Sequence, residues 1–427
     1  MSANHLMKPK LYIGIDLNDS YAMVSFLRER ESEPITVSVK KNQETFQFPT
    51  SLYVGKNNHF RYGQEAEKKK FDPSGEFYDH LFLRARDLVN TDGFEEGITR
   101  LTAFVKRLLK LKENLYGTER FEQYLVITVP EMSTTATAVL DGVKKALGSE
   151  VEQIDWMDYA ECSYYYVYQQ DSSVWAHNVV LFDYSASQLS CTLLGRDPRM
   201  VPPVVMSGQK SWPNTMQLDE DPESRDSFFE AIIREAFGKR IISGVYLLGD
   251  GFDGDWMKRS LKLLTPNRRV FIGKNLYTKG AAMAGLILFS GKTWNYRYEC
   301  SYKAQANVTL QVMSGDTTKV LPLIEMGRNW FEQKTSYNLL LKGTPEFSVY
   351  VERKGEYQQK HVVVPLEDVW NRPERTRKIR ISTEMVKNNV LKITVTDVGF
   401  GAFYASTGRE WSYEVELYKG QVNEWEN

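Results

Sequence analysis

Two apolar runs in this chain each stop on a single acid and turn straight back. The first is Tyr12-Ile13-Gly14-Ile15-Asp16, then the polar turn Leu17-Asn18-Asp19-Ser20 and a returning run Ala22-Met23-Val24-Ser25-Phe26. The second is Val179-Val180-Leu181-Phe182-Asp183, then Tyr184-Ser185-Ala186-Ser187. A strand ending in a tight turn gathers backbone N–H groups around a concave spot where phosphate oxygens can sit. Two such hairpins facing each other, each with an acid at its strand end, would hold a triphosphate and its magnesium between them. One Gly-x-Asp is common by chance. The ordered set is more restrictive: Leu125-Val126-Ile127-Thr128-Val129-Pro130 leads into a helix, Glu161-Cys162-Ser163 opens another, and Leu248-Gly249-Asp250-Gly251 precedes Lys279-Gly280-Ala281-Ala282.

Apolar periodicity predicts strands at 11–17, 21–28, 35–40, 51–54, 124–129, 178–183, 189–194 and 244–248. It predicts helices at 63–70, 95–115, 133–147, 158–170, 225–238, 254–264 and 278–289. Strands alternating with helices indicate an α/β architecture. Beyond about residue 300 the pattern changes to period two, in Val308–Val312, Phe347–Val351, Lys378–Ile381 and Leu391–Thr396, with turn residues between. That alternation predicts an antiparallel all-β domain. The polar segment 291–303 is the expected linker. The Asp219–Glu223 acidic stretch reads as a surface loop entering a helix.

Composition narrows the function. A net charge of -1 gives no reason to expect nucleic acid or an anionic membrane as partner. The longest apolar run, Ala281–Phe289, falls short of the roughly 18 residues of a membrane span. Cys162, Cys191 and Cys300 are widely spaced and fit no zinc pattern, so they read as buried thiols in a reducing, cytoplasmic setting. The basic face of the 95–115 helix reads as solvated surface. Arg372, Arg375, Arg377, Lys378 and Arg380 read as charges blunting an exposed strand edge. The run Tyr164-Tyr165-Tyr166-Val167-Tyr168 reads as packing, because a helix turns its side chains all round its axis.

With these motifs in order, the sequence resembles the actin-like ATPase superfamily, and within it the seventy-kilodalton heat-shock chaperones. Gly14-Ile15-Asp16-Leu17 is similar to the family's first phosphate loop, Phe182-Asp183 to the second, and Leu248-Gly249-Asp250-Gly251 to the adenosine loop. Glu161-Cys162-Ser163 resembles the Glu-Pro-Thr that opens the first connecting helix. Asn388–Val395 and Ser406–Glu410 resemble strands of the chaperone's peptide-binding sandwich. The resemblance implies a two-lobed fold of ribonuclease H-like lobes followed by an all-β sandwich. It divides the chain into a tail at 1–9, lobe I at 10–178, a reduced lobe II at 179–292 and the sandwich at 304–418. It implies ATP as cofactor, with Asp16 and Asp183 holding magnesium through water. Asp16, Glu161 and Asp183 would be the catalytic residues. Asn18, Asp19, Ser20, Ser185, Ala186, Ser187, Gly249, Asp250 and Gly251 would line the nucleotide. From the residues alone, Asp16 and Asp183 can equally be strand-end turn caps, and the glycines turn formers.

The chain departs from that family at the site. Asn18-Asp19-Ser20 replaces Gly-Thr-Thr, and Asp19 would set a negative charge beside phosphate. Ser185-Ala186-Ser187-Gln188 replaces a glycine-rich loop that lets backbone approach phosphate. The catalytic lysine aligns with Glu67, one residue from Lys68. Asp253 stands where the family has arginine, the outer part of lobe II is expected to be missing, and no helical lid is expected after the sandwich. These departures favour a non-catalytic, chaperone-like scaffold that binds a protein or extended peptide. The alternative is a working ATP switch coupling nucleotide state to peptide binding.

Overall fold

The computed structural model describes residues 8–40, 43–56, 59–185, 188–199, 201–212, 221–299, 302–353, 359–366 and 373–418. It forms two compact units, Met1–Tyr298 and Glu299–Asn427.

The first unit opens on β1 (Lys10–Leu17) and β2 (Tyr21–Arg28), a hairpin whose strands are almost wholly buried. Asn18 makes the turn: its Oδ1 accepts from the backbone N–H groups of Ser20 and Tyr21, both at 2.9 Å. Next come β3 (Ile35–Thr36) and β4 (Phe48–Pro49), both paired to β2. A separate three-stranded sheet follows, of β5 (Leu52–Gly55), β6 (His59–Tyr62) and β7 (Gly75–Tyr78), in the order β6-β5-β7. Helices α1 (Gln64–Glu67), α2 (Leu81–Asp87), α3 (Phe94–Lys110) and α4 (Glu113–Tyr116) lead to β8 (Glu122–Val129). Helix α5 (Thr134–Leu147), capped by Ser133, precedes β9 (Gln153–Asp158) and α6 (Tyr159–Val167). The first large sheet runs β3-β2-β1-β8-β9, with β1, β8 and β9 parallel.

The same plan follows again. β10 (Asn178–Ser185), β11 (Gln188–Asp197) and β12 (Val204–Trp212) form an antiparallel meander. Helix α7 (Pro222–Phe237) begins where Asp221 caps it, with proline in its first turn. β13 (Ile242–Leu248), α8 (Arg259–Leu264), β14 (Arg269–Gly273) and α9 (Leu276–Phe289) complete the plan, and β15 (Arg297–Glu299) extends the sheet. The order β14-β13-β10-β11-β12 repeats the first sheet's order and strand directions. The unit is therefore a mixed α/β structure built on two like sheets.

Helices α6 and α9 cross between the two sheets at small residues. A Cβ on Gly280 would lie 2.6 Å from the Cys162 carbonyl oxygen. A Cβ on Gly14 would lie 2.1 Å from the Thr278 carbonyl oxygen and 2.4 Å from the Ala282 nitrogen. Glycine at position 14 lets α9 rest directly on β1. Tyr164, Tyr165 and Tyr168 of α6 are buried and pack with Trp175, Trp294, Tyr296 and Tyr298. The segment from Trp294 to Tyr298, expected as linker, is therefore fastened to this unit. Tyr164 accepts from the Trp294 indole and donates to the Tyr296 carbonyl at 3.2 Å.

Among the described residues the second unit holds eight strands in two antiparallel sheets. β16 (Ala306–Ser314), β17 (Thr317–Ile324), β19 (Glu346–Arg353) and β20 (Lys360–Pro365) run in the order β17-β16-β19-β20. β18 (Lys334–Leu340), β21 (Lys378–Lys387), β22 (Val390–Asp397) and β23 (Glu410–Glu416) run in the order β18-β21-β22-β23. One apolar cluster draws on both sheets, including Val308, Val349, Ile381 and Ile393. Lys378 and Arg380 lie on β21, which is paired on both sides. They therefore do not guard an edge, as their charge alone suggested; Arg372 lies outside the described residues.

Because the atoms facing Gly14 are backbone, no rotamer change can make room for a side chain there. Gly14→Ala is expected to lower unfolding free energy by about 3 kcal/mol, measured by urea denaturation. An unchanged midpoint would mean that α9 does not rest on β1.

Candidate functional site

The ends of β1 and β10 come together beneath the start of α6 and of α9. Asp16, the acid ending β1, has no solvent exposure. Its Oδ1 accepts a 2.5 Å hydrogen bond from the Tyr159 hydroxyl, and its Oδ2 is buried with no partner among the described residues. Asp183, half-buried on β10, accepts from Tyr277 at 2.8 Å and from Ser185 at 2.6 Å. The two tyrosine rings stack, centroids 3.7 Å apart and 9° from parallel. Each half thus supplies one acid and one tyrosine. Tyr159 is the first residue of α6 and Tyr277 the second of α9, so the two helix starts meet through their rings.

Burial sets the electrostatics. Desolvation raises the Asp16 carboxyl from 3.8 to about 7, against the lowering effect of the Tyr159 bond, and the nearby charge of Asp183 adds to the rise. Burial also raises Asp183, although Ser185 and Tyr277 stabilise its charge and Asp250 opposes it. The Tyr159 and Tyr277 hydroxyls are pushed well above their ordinary range, by burial first and the neighbouring acids second. Tyr21 lies close enough to Asp16 and Asp183 for both to raise it, after burial.

The other expected site residues are spread among structural duties. Asn18 shapes the first turn, and its amide lies 3.4 Å from the Tyr159 hydroxyl. Asp19 does not leave a bare charge in the cleft: Arg86 of α2 binds both its carboxylate oxygens, at 2.6 and 2.8 Å. The Ser20 carbonyl accepts from Thr50 at 3.1 Å. Gly249 takes φ 93 against Ser185, and a Cβ on Gly251 would fall 2.3 Å from the Tyr184 ring. Both glycines are dictated by contact with the second hairpin. Asp250 pairs with Lys274 at 2.8 Å and accepts from Gln47 at 3.3 Å. Lys274 also holds Asp253, at 2.5 Å. Ala186 and Ser187 lie outside the described residues. Glu67 accepts from Ser51, and Lys68 is exposed.

Glu161 sits in the first turn of α6, which starts at Tyr159 inside the expected 158–170 segment, and the cap Asp158 accepts from the Glu161 N–H at 2.8 Å. The helix start therefore directs Tyr159, not Glu161, onto Asp16. Tyr159, Tyr277, Arg86 and Lys274 escaped the sequence reading. A usable signal existed: in both halves a polar cap residue, Asp158 or Asn275, stands one or two positions before a tyrosine at a strand-to-helix junction.

Two features of the arrangement oppose a magnesium–triphosphate group: one oxygen of each acid is bonded to a tyrosine hydroxyl, and those two rings stack on each other. Among the described residues, no group of three His, Cys, Asp or Glu side chains is placed to hold a metal. What the site can do is tie the two sheets together, along with Thr278, whose hydroxyl donates to the Gly14 carbonyl at 2.9 Å.

The raised Asp16 carboxyl has a measurable consequence. Folded, it keeps its proton up to about pH 7; unfolded, it releases it near 3.8. Between those values the folded state binds more protons, so this residue's contribution to stability declines as pH rises and is level above about 7. Relative to Asp16→Asn, the unsubstituted protein is expected to lose on the order of a few kcal/mol between about pH 4 and pH 7. Urea midpoints of both proteins across that range test this; parallel curves would refute the desolvation of Asp16.

Comparisons with known proteins add the family. Residues 33–301 match the model described as the C-terminal part of a family of unknown function (DUF5716). Residues 303–417 match a domain of unknown function (DUF8552). No curated protein matches this chain. Among solved structures, a non-polymerising mutant of MamK bound to AMPPNP is similar, at 14% identity and a TM-score of 0.38, over 65% of this chain and 98% of that one. No helix among the described residues is long and apolar enough to cross a membrane. With more than half of its length inside the first of these models, the chain belongs to the DUF5716 C-terminal family.

Proposed function

We propose that this chain is a chaperone-like scaffold on a two-lobed, actin-like ATPase fold, and that it works by binding a protein partner without turning over ATP. The repeated sheet order, with α6 and α9 crossing between the sheets, supports a pair of ribonuclease H-like lobes. The shared apolar core of the second unit supports a β-sandwich of the chaperone type. The single observation that carries the functional reading is the tyrosine clasp: Tyr159 on Asp16, Tyr277 on Asp183, and the rings stacked at 3.7 Å.

Admitting a nucleotide would break two charge-assisted or buried hydrogen bonds and one aromatic stack. Each such bond contributes about 1–3 kcal/mol and the stack about 1 kcal/mol, so ATP would meet an opposing term of about 3–7 kcal/mol, a large share of the roughly 8 kcal/mol of a micromolar affinity. The clasp has a positive role in this reading. It holds the lobes in one closed relation, so the surface offered to a partner does not depend on nucleotide.

Titration calorimetry with ATP and magnesium is expected to give no saturable heat, both for the protein and for Asp16→Asn. Saturable micromolar binding that is lost in Asp16→Asn would overturn this reading in favour of an ATP-driven switch.

A further inference from the structure

The three-stranded sheet beside α3 forms a groove unconnected with the clasp. One cavity, of about 430 Å³, is lined by Phe60, Arg61 and Tyr62 of β6 and by Lys106, Arg107 and Lys110 of α3, with Glu65 and Ala103. A second, of about 330 Å³, shares Tyr62, Glu65 and Arg107 and has an apolar floor of Phe104, Leu108 and Leu111.

Three properties of the groove agree on one kind of occupant. The first is direction. Successive strand residues point to opposite faces of a sheet, yet Phe60, Arg61 and Tyr62 all line this cavity, which fits a cavity that opens along the strand's edge. β6 is an edge strand: among the described residues it pairs with β5 alone. The second is charge. Against the lone acid Glu65, the first cavity carries Arg61, Lys106, Arg107 and Lys110, on a chain whose net charge is -1. Only Lys106 of these four has an ion pair among the described residues, with Glu150 at 2.6 Å. Ala103, Lys106, Arg107 and Lys110 recur at helical spacing, so the positive charge is spread along α3 rather than gathered at a point. The third is the apolar floor, beside Phe60, which is 41% exposed.

We infer that this groove binds an extended acidic segment of a partner protein. The segment adds to the edge of β6, sets its carboxylates against Arg61, Arg107 and Lys110, and places an apolar side chain over Phe104 and Leu108. Strand addition supplies main-chain hydrogen bonds, and the cations select for acidic sequence. A single phosphate would not use a line of separated cations, and an apolar floor does not favour a sugar–phosphate backbone. The basic face of α3, read from sequence as solvated surface, is on this view the partner-facing wall.

This inference rests on the reading of the chain as a protein-binding scaffold and names where the partner docks. Its test leaves nucleotide out. A short fluorescein-labelled peptide of alternating Asp and Val is titrated with the full chain and followed by anisotropy. Saturable binding that weakens with added salt is expected. The double variant Arg107→Glu/Lys110→Glu, with an unchanged circular dichroism spectrum, is expected to weaken it by about tenfold or more. No saturable binding, or equal binding by the double variant, overturns the inference. So does displacement of the peptide by pyrophosphate or a single-stranded oligonucleotide at lower concentration than by the unlabelled peptide. If the double variant binds equally well, the groove is excluded while the scaffold reading stands, whereas ATP binding in the calorimetric test removes the scaffold reading itself.

Discussion

One fully buried carboxyl group and a second, half-buried one tie the centre of the first unit together. Asp16 is fully buried at the end of β1, and Asp183 ends the matching strand of the second sheet. Leaving either without a donor would cost more than most single contacts return. Each therefore takes a tyrosine hydroxyl, and those tyrosines are fixed because they begin the two helices that cross between the sheets. Once the rings stack, the neighbouring contacts follow from the same helix start. Asn275 reaches Thr36 at 2.9 Å, Thr278 reaches Gly14, and Cys162 donates to the Tyr277 carbonyl at 2.8 Å. Gly14 and Gly280 are the backbone side of this constraint, since the helices can lie close only where no Cβ intervenes.

Much of this was legible in the sequence, for a physical reason. Strands buried on both faces, such as β1, β8, β10 and β13, are continuous apolar runs, and every one of them stands out. The repeated sheet order was not legible, because the two halves share a plan of burial and not a sequence period. Short strands on sheet margins, β6, β7 and β14, were missed: half-exposed and only a few residues long, they carry no periodic signal. Helix ends were set by distant partners. The 254–264 segment becomes helical only from Arg259, where Asp226 of α7 accepts the N–H groups of Lys258, Arg259 and Ser260. The 95–115 helix breaks after Lys110, and α4 ends at Gly117 with φ 61.

The candidate site was legible as a place but not as a set of contacts. Asp16 and Asp183 lie close enough for the charge of one to raise the other, and the 249–251 turn meets the second hairpin. What sequence could not give was which first-turn residue a helix points inward. Two positions within the first turn of α6 separate Glu161 from Tyr159, and it is the Tyr159 hydroxyl that bonds Asp16. Asp19 shows the same limit in a different form. Its charge reads as repulsive until Arg86, distant in sequence, is brought onto it by α2.

The edges of the second unit explain why a partner would be received elsewhere. An exposed strand edge invites pairing, and proteins blunt it with charge and proline. Edge strand β17 carries Lys319 and Pro322, and β20 begins at Lys360 and ends at Pro365. β23 presents Glu410, Glu414 and Glu416, and on β18 Lys334 is tied to Glu384 at 3.2 Å. All four outer strands thus carry charged residues or proline of the kind that discourages strand addition. The edge of β6, in contrast, carries an exposed phenylalanine and an arginine facing three more cations. Where one unit defends its edges and the other leaves an edge lined with cations of which, among the described residues, Lys106 alone has an ion pair, selectivity for an acidic strand belongs to the second kind of edge.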